Sequence, residues 1–319
     1  MKFLFVCGAS RSGTTLIARC LSKHTRVEST PELHLFNLVV PHLASIDRLN
    51  EININLCLDY IYLHGFLEFK KNLGSMSWSD GSMCLDLGPA LAGYFKDKNP
   101  SCEVVCEQTG MNLYAQESIN RYIKSPLYLI MRRDIKAILA SQKYRYKLIQ
   151  NDGGSLSKED YFRIFFSRSV ILQLLLFRKT RKEMLLLSRE SNAFTIQYES
   201  LLRNPREVIA SLCQFIDLPC EESMLKVNRE GSSHDKFSSA DEYLNAENLS
   251  LQFSEKLGHS AVWLAQKCYP DFVLSNESVN PSILGGLLLL IEFLVFTPFA
   301  LLLSMRSYGS VFSWMKARF

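Results

Sequence analysis

An apolar run, Phe3-Leu4-Phe5-Val6-Cys7, passes directly into Gly8-Ala9-Ser10-Arg11-Ser12-Gly13-Thr14-Thr15, after which Leu16, Ile17 and Leu21 recur at helical spacing. A strand, a glycine-bounded loop and a helix in that order aim backbone N–H groups and the positive end of a helix at an anion. The loop departs from an ATP-binding loop at one position. The pattern G-x-x-x-x-G-K-[ST] needs Lys where this chain has Thr14, and the cation sits inside the loop as Arg11. That arrangement suits an anion whose terminal group is neutralised from a different side. A chance Gly-Ser-Thr turn is the alternative, and the downstream motifs decide between them.

The chain has 319 residues, enough for one large α/β domain and an appendage. Its 47% hydrophobic and 21% charged residues are ordinary for a globular enzyme. The net charge of +4 fits an anionic ligand and is too diffuse for nucleic acid. The nine cysteines form no C-x-x-C pair and mostly sit in apolar runs. They read as buried free thiols in a reducing compartment, with neither a disulfide framework nor a metal site. The N-terminal apolar run is short and is needed as the first strand, so it does not read as a signal peptide.

Two apolar runs, Val104-Val105-Cys106 and Leu127-Tyr128-Leu129-Ile130-Met131, read as buried parallel strands, and Phe194-Thr195-Ile196 reads as a further strand. Between them the spacing predicts helices over 14–23, within 33–72, over 135–147, over a long stretch 158–189 and over 205–216, with loops across Gly74 to Gly93 and Asn151 to Ser155. Alternating strands and helices imply a parallel sheet covered on both faces.

The strand ending at Met131 leads into Arg132-Arg133-Asp134 and then a helix. Ser141 and Arg145 share a face of that helix at i, i+4 spacing and can turn towards a ligand held by Arg133. Two guanidinium forks and one hydroxyl are what a phosphate monoester needs. A third segment, Gln197-Tyr198-Glu199-Ser200-Leu201-Leu202-Arg203-Asn204-Pro205, follows the late strand. With the loop RSGTT, these three ordered elements make the chain similar to the PAPS-dependent sulfotransferases over roughly residues 3–270, closest to their tyrosylprotein and bacterial branches.

That resemblance implies a three-layer P-loop α/β fold with a central parallel sheet. It also implies 3′-phosphoadenosine 5′-phosphosulfate (PAPS) as donor, adenosine 3′,5′-bisphosphate as product and no metal. By the same resemblance Arg11, Ser12, Gly13, Thr14 and Thr15 take the phosphosulfate, and Arg133, Ser141 and Arg145 grip the 3′-phosphate. Tyr198 lines the nucleotide pocket, or else caps the sheet edge.

Sulfuryl transfer needs a base for the acceptor hydroxyl and cations for the leaving oxygens. Glu32, in Ser29-Thr30-Pro31-Glu32-Leu33-His34, matches the family's catalytic glutamate, and Arg11 supplies charge. Pro31 predicts Glu32 in the first turn of a new helix. The alternative is that Glu32 only complements a helix N-terminus. His34 and then Glu28 are the reserve bases. The chain departs from the family after Val104–Cys106: related enzymes carry a Lys there that stabilises the transferring group, and this chain has Glu107-Gln108-Thr109-Gly110. Arg132 and the segment Ser232-Ser233-His234-Asp235-Lys236 are candidates to supply the missing charge.

Ile283 to Met305 is a hydrophobic helical segment. At about 1.5 Å per residue it reaches about 35 Å, against a hydrocarbon core of about 30 Å. Its apolar side chains outweigh the cost of the acid Glu292. The expected organisation is a transferase domain over 1–275 and a membrane-associating segment over 276–319. Gly285-Gly286 and Pro298 favour a segment lying in the interface over a full span, with Phe312 and Trp314 at the headgroups. The expected place is the cytoplasmic face of a membrane, and the expected partner is a hydroxyl-bearing, amphiphilic acceptor. Two rivals remain: a P-loop small-molecule kinase, for which Asp86 is the passable metal carboxylate, and a non-catalytic nucleotide-binding membrane adaptor.

Overall fold

The first strand, β1 (Lys2–Gly8), is buried from Leu4 to Cys7 on both faces, as a central parallel strand must be. The structure is a computed structural model, described for residues 1–41, 53–65, 68, 69, 72, 87–151, 162, 165–227, 242–246, 249 and 252–308, with side chains excluded at 145–151 and 303–308. It divides into two compact units. Met1–Met131, Met184–Glu230 and Ser238–Asn245 form the first, and Arg132–Glu183, Gly231–Phe237 and Ala246–Phe319 form the second.

The first unit is built on a five-stranded parallel sheet. After β1 come β2 (Val27–Ser29), β3 (Val104–Glu107), β4 (Leu127–Arg132) and β5 (Ala193–Gln197), in the spatial order β2-β3-β1-β4-β5. Strand β1 lies between β3 and β4, with Leu4 opposite both Cys106 and Leu127. Phe5 meets Phe36 edge-on at 5.4 Å and lies 6.0 Å from Tyr128. The helix Thr14–Ser22 turns Ile17, Ala18, Cys20 and Leu21 inward, and Pro205–Ile216 does the same with Ile209, Leu212, Cys213 and Ile216. A short antiparallel pair joins Lys226–Val227 to Glu242–Tyr243. All eight cysteines among the described residues are free, and six are buried.

The second unit is helical. Asp134 caps the helix Ile135–Asn151: its Oδ1 accepts from the Lys136 N–H at 2.8 Å and its Oδ2 from the Leu274 N–H at 3.0 Å. Lys136 is wholly buried, with Nζ 3.1 Å from Glu277 and 3.8 Å from Asp134. Burial pushes the Glu277 carboxyl up, but hydrogen bonds from the Phe253 N–H, Lys136 and the Ser254 N–H outweigh it and leave its pKa below the ordinary value. Phe177 packs edge-on against Tyr269 and Phe272.

Three expectations are corrected here. The long helix over 158–189 is interrupted: residues 167–169 leave helical geometry, and the described helix is Val170–Leu187. The cause is Ser169, fully buried, whose Oγ accepts from the Leu172 N–H and so starts a new helix. The apolar spacing of that stretch also turns Phe162 inward, and in the structure Phe162 is exposed. Residues 87–98, within or next to the expected loops, form the helix Leu87–Lys98, because Leu87, Leu91, Tyr94 and Phe95 repeat at helical spacing and are buried. The rest of that stretch, including Asp86, lies outside the described residues, as does Ser232 to Lys236.

The apolar segment is the helix Ile283–Tyr308, of which Ile283–Leu302 is long and apolar enough to cross a membrane. Within its unit it is one-sided. Residues 285, 289, 292, 293, 296 and 300 are at least partly covered, whereas Leu284, Leu287, Leu288, Ile291, Leu294 and Leu302 are exposed. The covered face meets Phe165 and Phe166 through Phe296, and Glu292 lies 3.9 Å from Arg168. Gly285 sits so close to Ser260 that a Cβ there would come within 2.4 Å of its Oγ.

Candidate active site

The loop after β1 is strained where it must bind. Arg11 has φ 72 and Gly13 φ 99, a left-handed region that costs a non-glycine residue about 1–3 kcal/mol. The Ser12 N–H donates to the Ala9 carbonyl at 3.1 Å and closes the turn. Gly13 caps the helix Thr14–Ser22 and, being a glycine, places no side-chain acceptor of its own on the N–H groups of the first turn. Ser12 is fully buried, and its Oγ has no hydrogen-bond partner among the described residues. A buried hydroxyl in that state is a donor waiting for an acceptor. Tyr198, the first residue of the helix Tyr198–Arg203, lays its ring against Gly13, where a Cβ would fall 2.4 Å from Cδ2. The structure therefore brings Tyr198 to the loop.

The C-terminal end of β3 holds the neighbouring part. Gln108 donates from Nε2 to the Thr15 Oγ1 at 3.0 Å, so the residue at the family's lysine position touches the phosphate-type loop with a neutral amide. Glu107, on the other side of Gln108, is 4% exposed. It accepts from the N–H groups of Leu33 and Thr109, each at 3.3 Å, and from Thr109 Oγ1 and Asn112 Nδ2. Burial raises its pKa above the ordinary carboxylate value, opposed by the hydrogen bonds from Thr109 and Asn112. Thr109 Oγ1 in turn accepts the His34 N–H at 3.1 Å.

These bonds correct the expected placement of Glu32. It is not in the first turn of a helix: residues 30–34 are irregular, and a π-helical turn begins only at Leu35. The N–H groups of Leu33 and His34 are committed to Glu107 and Thr109, and His34 adopts φ 52, so the chain cannot wind from Pro31. Glu32 is left 55% exposed, with Oε2 3.6 Å from the His34 Nε2. The other ring nitrogen, Nδ1, lies 3.2 Å from the Asn37 amide. The two candidate bases thus form a pair. Glu28 lies on β2.

In the second unit, Arg133 and Asp134 connect β4 to the helix Ile135–Asn151, which carries Ser141, buried, and Arg145, whose side chain is outside the described residues. Arg132 donates to the Asp271 carbonyl at 2.7 Å and stacks on Phe272 at 4.3 Å. Sequence reasoning did not foresee Glu107, Thr109 and Asn37 as supports. Their only local signal is an acid at the end of an apolar strand with Thr two residues on.

The residues fit a phosphosulfate group. The orphaned Ser12 hydroxyl and the helix terminus capped by Gly13 would cradle an anion, and a Cβ at Gly8 or Gly13 would collide with Ser12 or Tyr198. Among solved structures, the chain is similar to the sulfotransferase domain of the Synechococcus PCC 7002 olefin synthase, with 15% identity, 92% of this chain and 94% of that one covered, and a TM-score of 0.46. It is also similar to the sulfotransferase domain of the curacin biosynthetic pathway (18% identity, 70% and 76% covered, TM-score 0.44). A third is a sulfotransferase from Alicyclobacillus acidocaldarius (18% identity, 68% and 81% covered, TM-score 0.42). No curated protein matches the chain by sequence. The family model described as "Sulfotransferase family" matches residues 4–222, and the chain belongs to that family.

Proposed function

We propose that this sulfotransferase moves the sulfuryl group of PAPS to an acceptor hydroxyl, with Glu32 as general base. One observation carries the reading. Three consecutive residues at the end of β3 serve both halves of the chemistry: Gln108 holds Thr15 of the anion loop, and Glu107 and Thr109 hold the segment of Glu32 and His34. PAPS supplies an activated sulfuryl group and departs as adenosine 3′,5′-bisphosphate. Glu32 takes the acceptor proton as the new S–O bond forms, and the S–O bond to the donor phosphate breaks in line. Arg11, the Ser12 hydroxyl and the N–H groups from Gly13 to Thr15 meet the charge on the leaving phosphate. Tyr198 takes the nucleotide, and Arg133, Ser141 and Arg145 take the 3′-phosphate.

Calorimetric titration tests the donor assignment. Adenosine 3′,5′-bisphosphate binds more tightly than AMP or ATP, and Arg133→Ala weakens the bisphosphate by tens-fold, as expected for about 1.5–3 kcal/mol lost with a charge-assisted contact. AMP affinity hardly changes. Equal titration of AMP and the bisphosphate by the unaltered protein overturns the assignment.

A second reading rests on Gln108, which brings no charge to the position of the family lysine. On that reading the protein binds the bisphosphate and transfers nothing. Incubation with sulfur-labelled PAPS and a membrane extract separates the two, because only the enzyme labels an acceptor. Thr14 in place of Lys disfavours a kinase, and transfer without added magnesium excludes one.

The division into a transferase domain (1–275) and a membrane segment (276–319) belongs to the same proposal, as does a place on the cytoplasmic face of a membrane. Glu292 faces Arg168 and the opposite helix face is uniformly apolar, which supports a helix lying in the interface. The acceptor is then an amphiphilic hydroxyl held at that surface. The full-length protein floats with liposomes, and a Leu287→Lys, Ile291→Lys variant stays behind with its bisphosphate affinity intact. Co-flotation of that variant rules the face out.

A further inference from the structure

The buried Glu107 sits beside the segment that carries the proposed base. Its two oxygens face four donors: the N–H groups of Leu33 and Thr109, the Thr109 hydroxyl and the Asn112 amide. A carboxylate accepts at both oxygens and suits all four, whereas a glutamine in its place turns an NH2 group towards two of them. The proton order is determined as well. Because Thr109 Oγ1 receives the His34 N–H, its own hydrogen is directed to Glu107. Two successive backbone donors, Leu33 and His34, are thereby tied to the end of β3 across 74 and 75 positions of sequence. Leu33 faces the core at 1% exposure, and its neighbours, the exposed Glu32 and the half-buried His34, pair with each other. The left-handed backbone of His34, at φ 52, needs such support.

We infer that Glu107 is a positioning residue for sulfuryl transfer: with Thr109 it holds the backbone that sets Glu32 against His34. This rests on the reading of Glu32 as the base. Glu107 itself touches neither donor nor acceptor, so its loss acts on turnover and spares nucleotide binding. A displacement of about 1 Å in a catalytic group costs about 10²-fold in rate.

The test uses the full-length chain with Glu107→Gln, Thr109→Val and Thr109→Ser. Three readouts are taken: bisphosphate affinity by calorimetry, transfer from sulfur-labelled PAPS to acceptors in a membrane extract, and amide hydrogen exchange at Leu33 and His34. Glu107→Gln and Thr109→Val leave bisphosphate affinity unchanged, lower transfer about 10²-fold and speed exchange at Leu33 and His34 while β1 stays protected. Thr109→Ser, which keeps the hydroxyl, restores transfer. In the Glu32→Gln background, Glu107→Gln adds little, because both act on one group. Full transfer by a folded Glu107→Gln protein overturns the inference, and so does a loss of nucleotide affinity that matches the loss of transfer. Independent, multiplying losses in the double variant also overturn it. Should Glu107→Gln not fold, the contrast between Thr109→Val and Thr109→Ser decides alone. Unchanged transfer in Glu32→Gln sinks the base assignment instead, and the exchange data then still report whether Glu107 holds the segment.

Discussion

Glu32→Gln keeps the fold and the affinity for adenosine 3′,5′-bisphosphate and lowers transfer about 10²–10⁴-fold, the range that a positioned general base contributes. The side chain is half open to solvent and contributes little to packing, so its replacement by an isosteric amide removes a proton acceptor and little else. Binding by calorimetry and transfer from sulfur-labelled PAPS, measured on the same preparation, give the split. A variant with near-normal transfer shifts the role to His34, and His34→Ala is then the decisive comparison. The pair geometry sharpens that comparison. If Glu32 is the base, His34→Ala has the smaller effect, because His34 reaches the proton only through Glu32.

Lys136→Met destabilises the protein by about 3–5 kcal/mol, the usual cost of breaking a buried ion pair from one side. Lys136 and Asp134 are fully buried and Glu277 nearly so, and methionine leaves two buried carboxylates without the cation they share. Urea unfolding at neutral pH measures the loss. Its pH dependence follows from the direction of the Glu277 shift. In the unaltered protein the lowered pKa contributes stability that is present above the ordinary carboxylate range and is lost as pH falls through the lowered value. In the variant the Glu277 carboxylate has lost its lysine, so acid protonates it more readily and the deficit narrows as pH falls. A deficit under about 1 kcal/mol at neutral pH would place the cluster with ordinary surface pairs.

Strands β1, β3, β4 and β5 were legible because each is an apolar run too short for a helix, and the anion loop was legible from its glycines and hydroxyls. Strand β2 was not, since Val27-Glu28-Ser29 has no periodicity and is a strand only because β3 lies beside it. The break before Val170 depends on one buried serine that competes with the helix for its own backbone, a choice that apolar spacing does not record. Glu32 illustrates the deeper limit. Its neighbourhood reads as a helix start from Pro31 onward, and the local preference is overridden by acceptors contributed from residues 107 and 109. Glu107 itself looked like half of a missing lysine motif. Its partners are far away in sequence, so nothing near it announces what it holds. The helix Ile283–Tyr308 was legible as apolar, while the pairing of its acid with Arg168 was not.

The position of β1 between β3 and β4 has a consequence for biosynthesis. Strand β1 needs two neighbours that both lie far downstream of it, beginning at Val104 on one side and Leu127 on the other. Until about that much chain has emerged, Phe3 to Cys7 is an unpaired apolar edge, and non-local pairing of this kind is slow and exposed to aggregation. The anion loop is therefore a late product of folding: it stays unformed until both of these downstream strands have closed around β1.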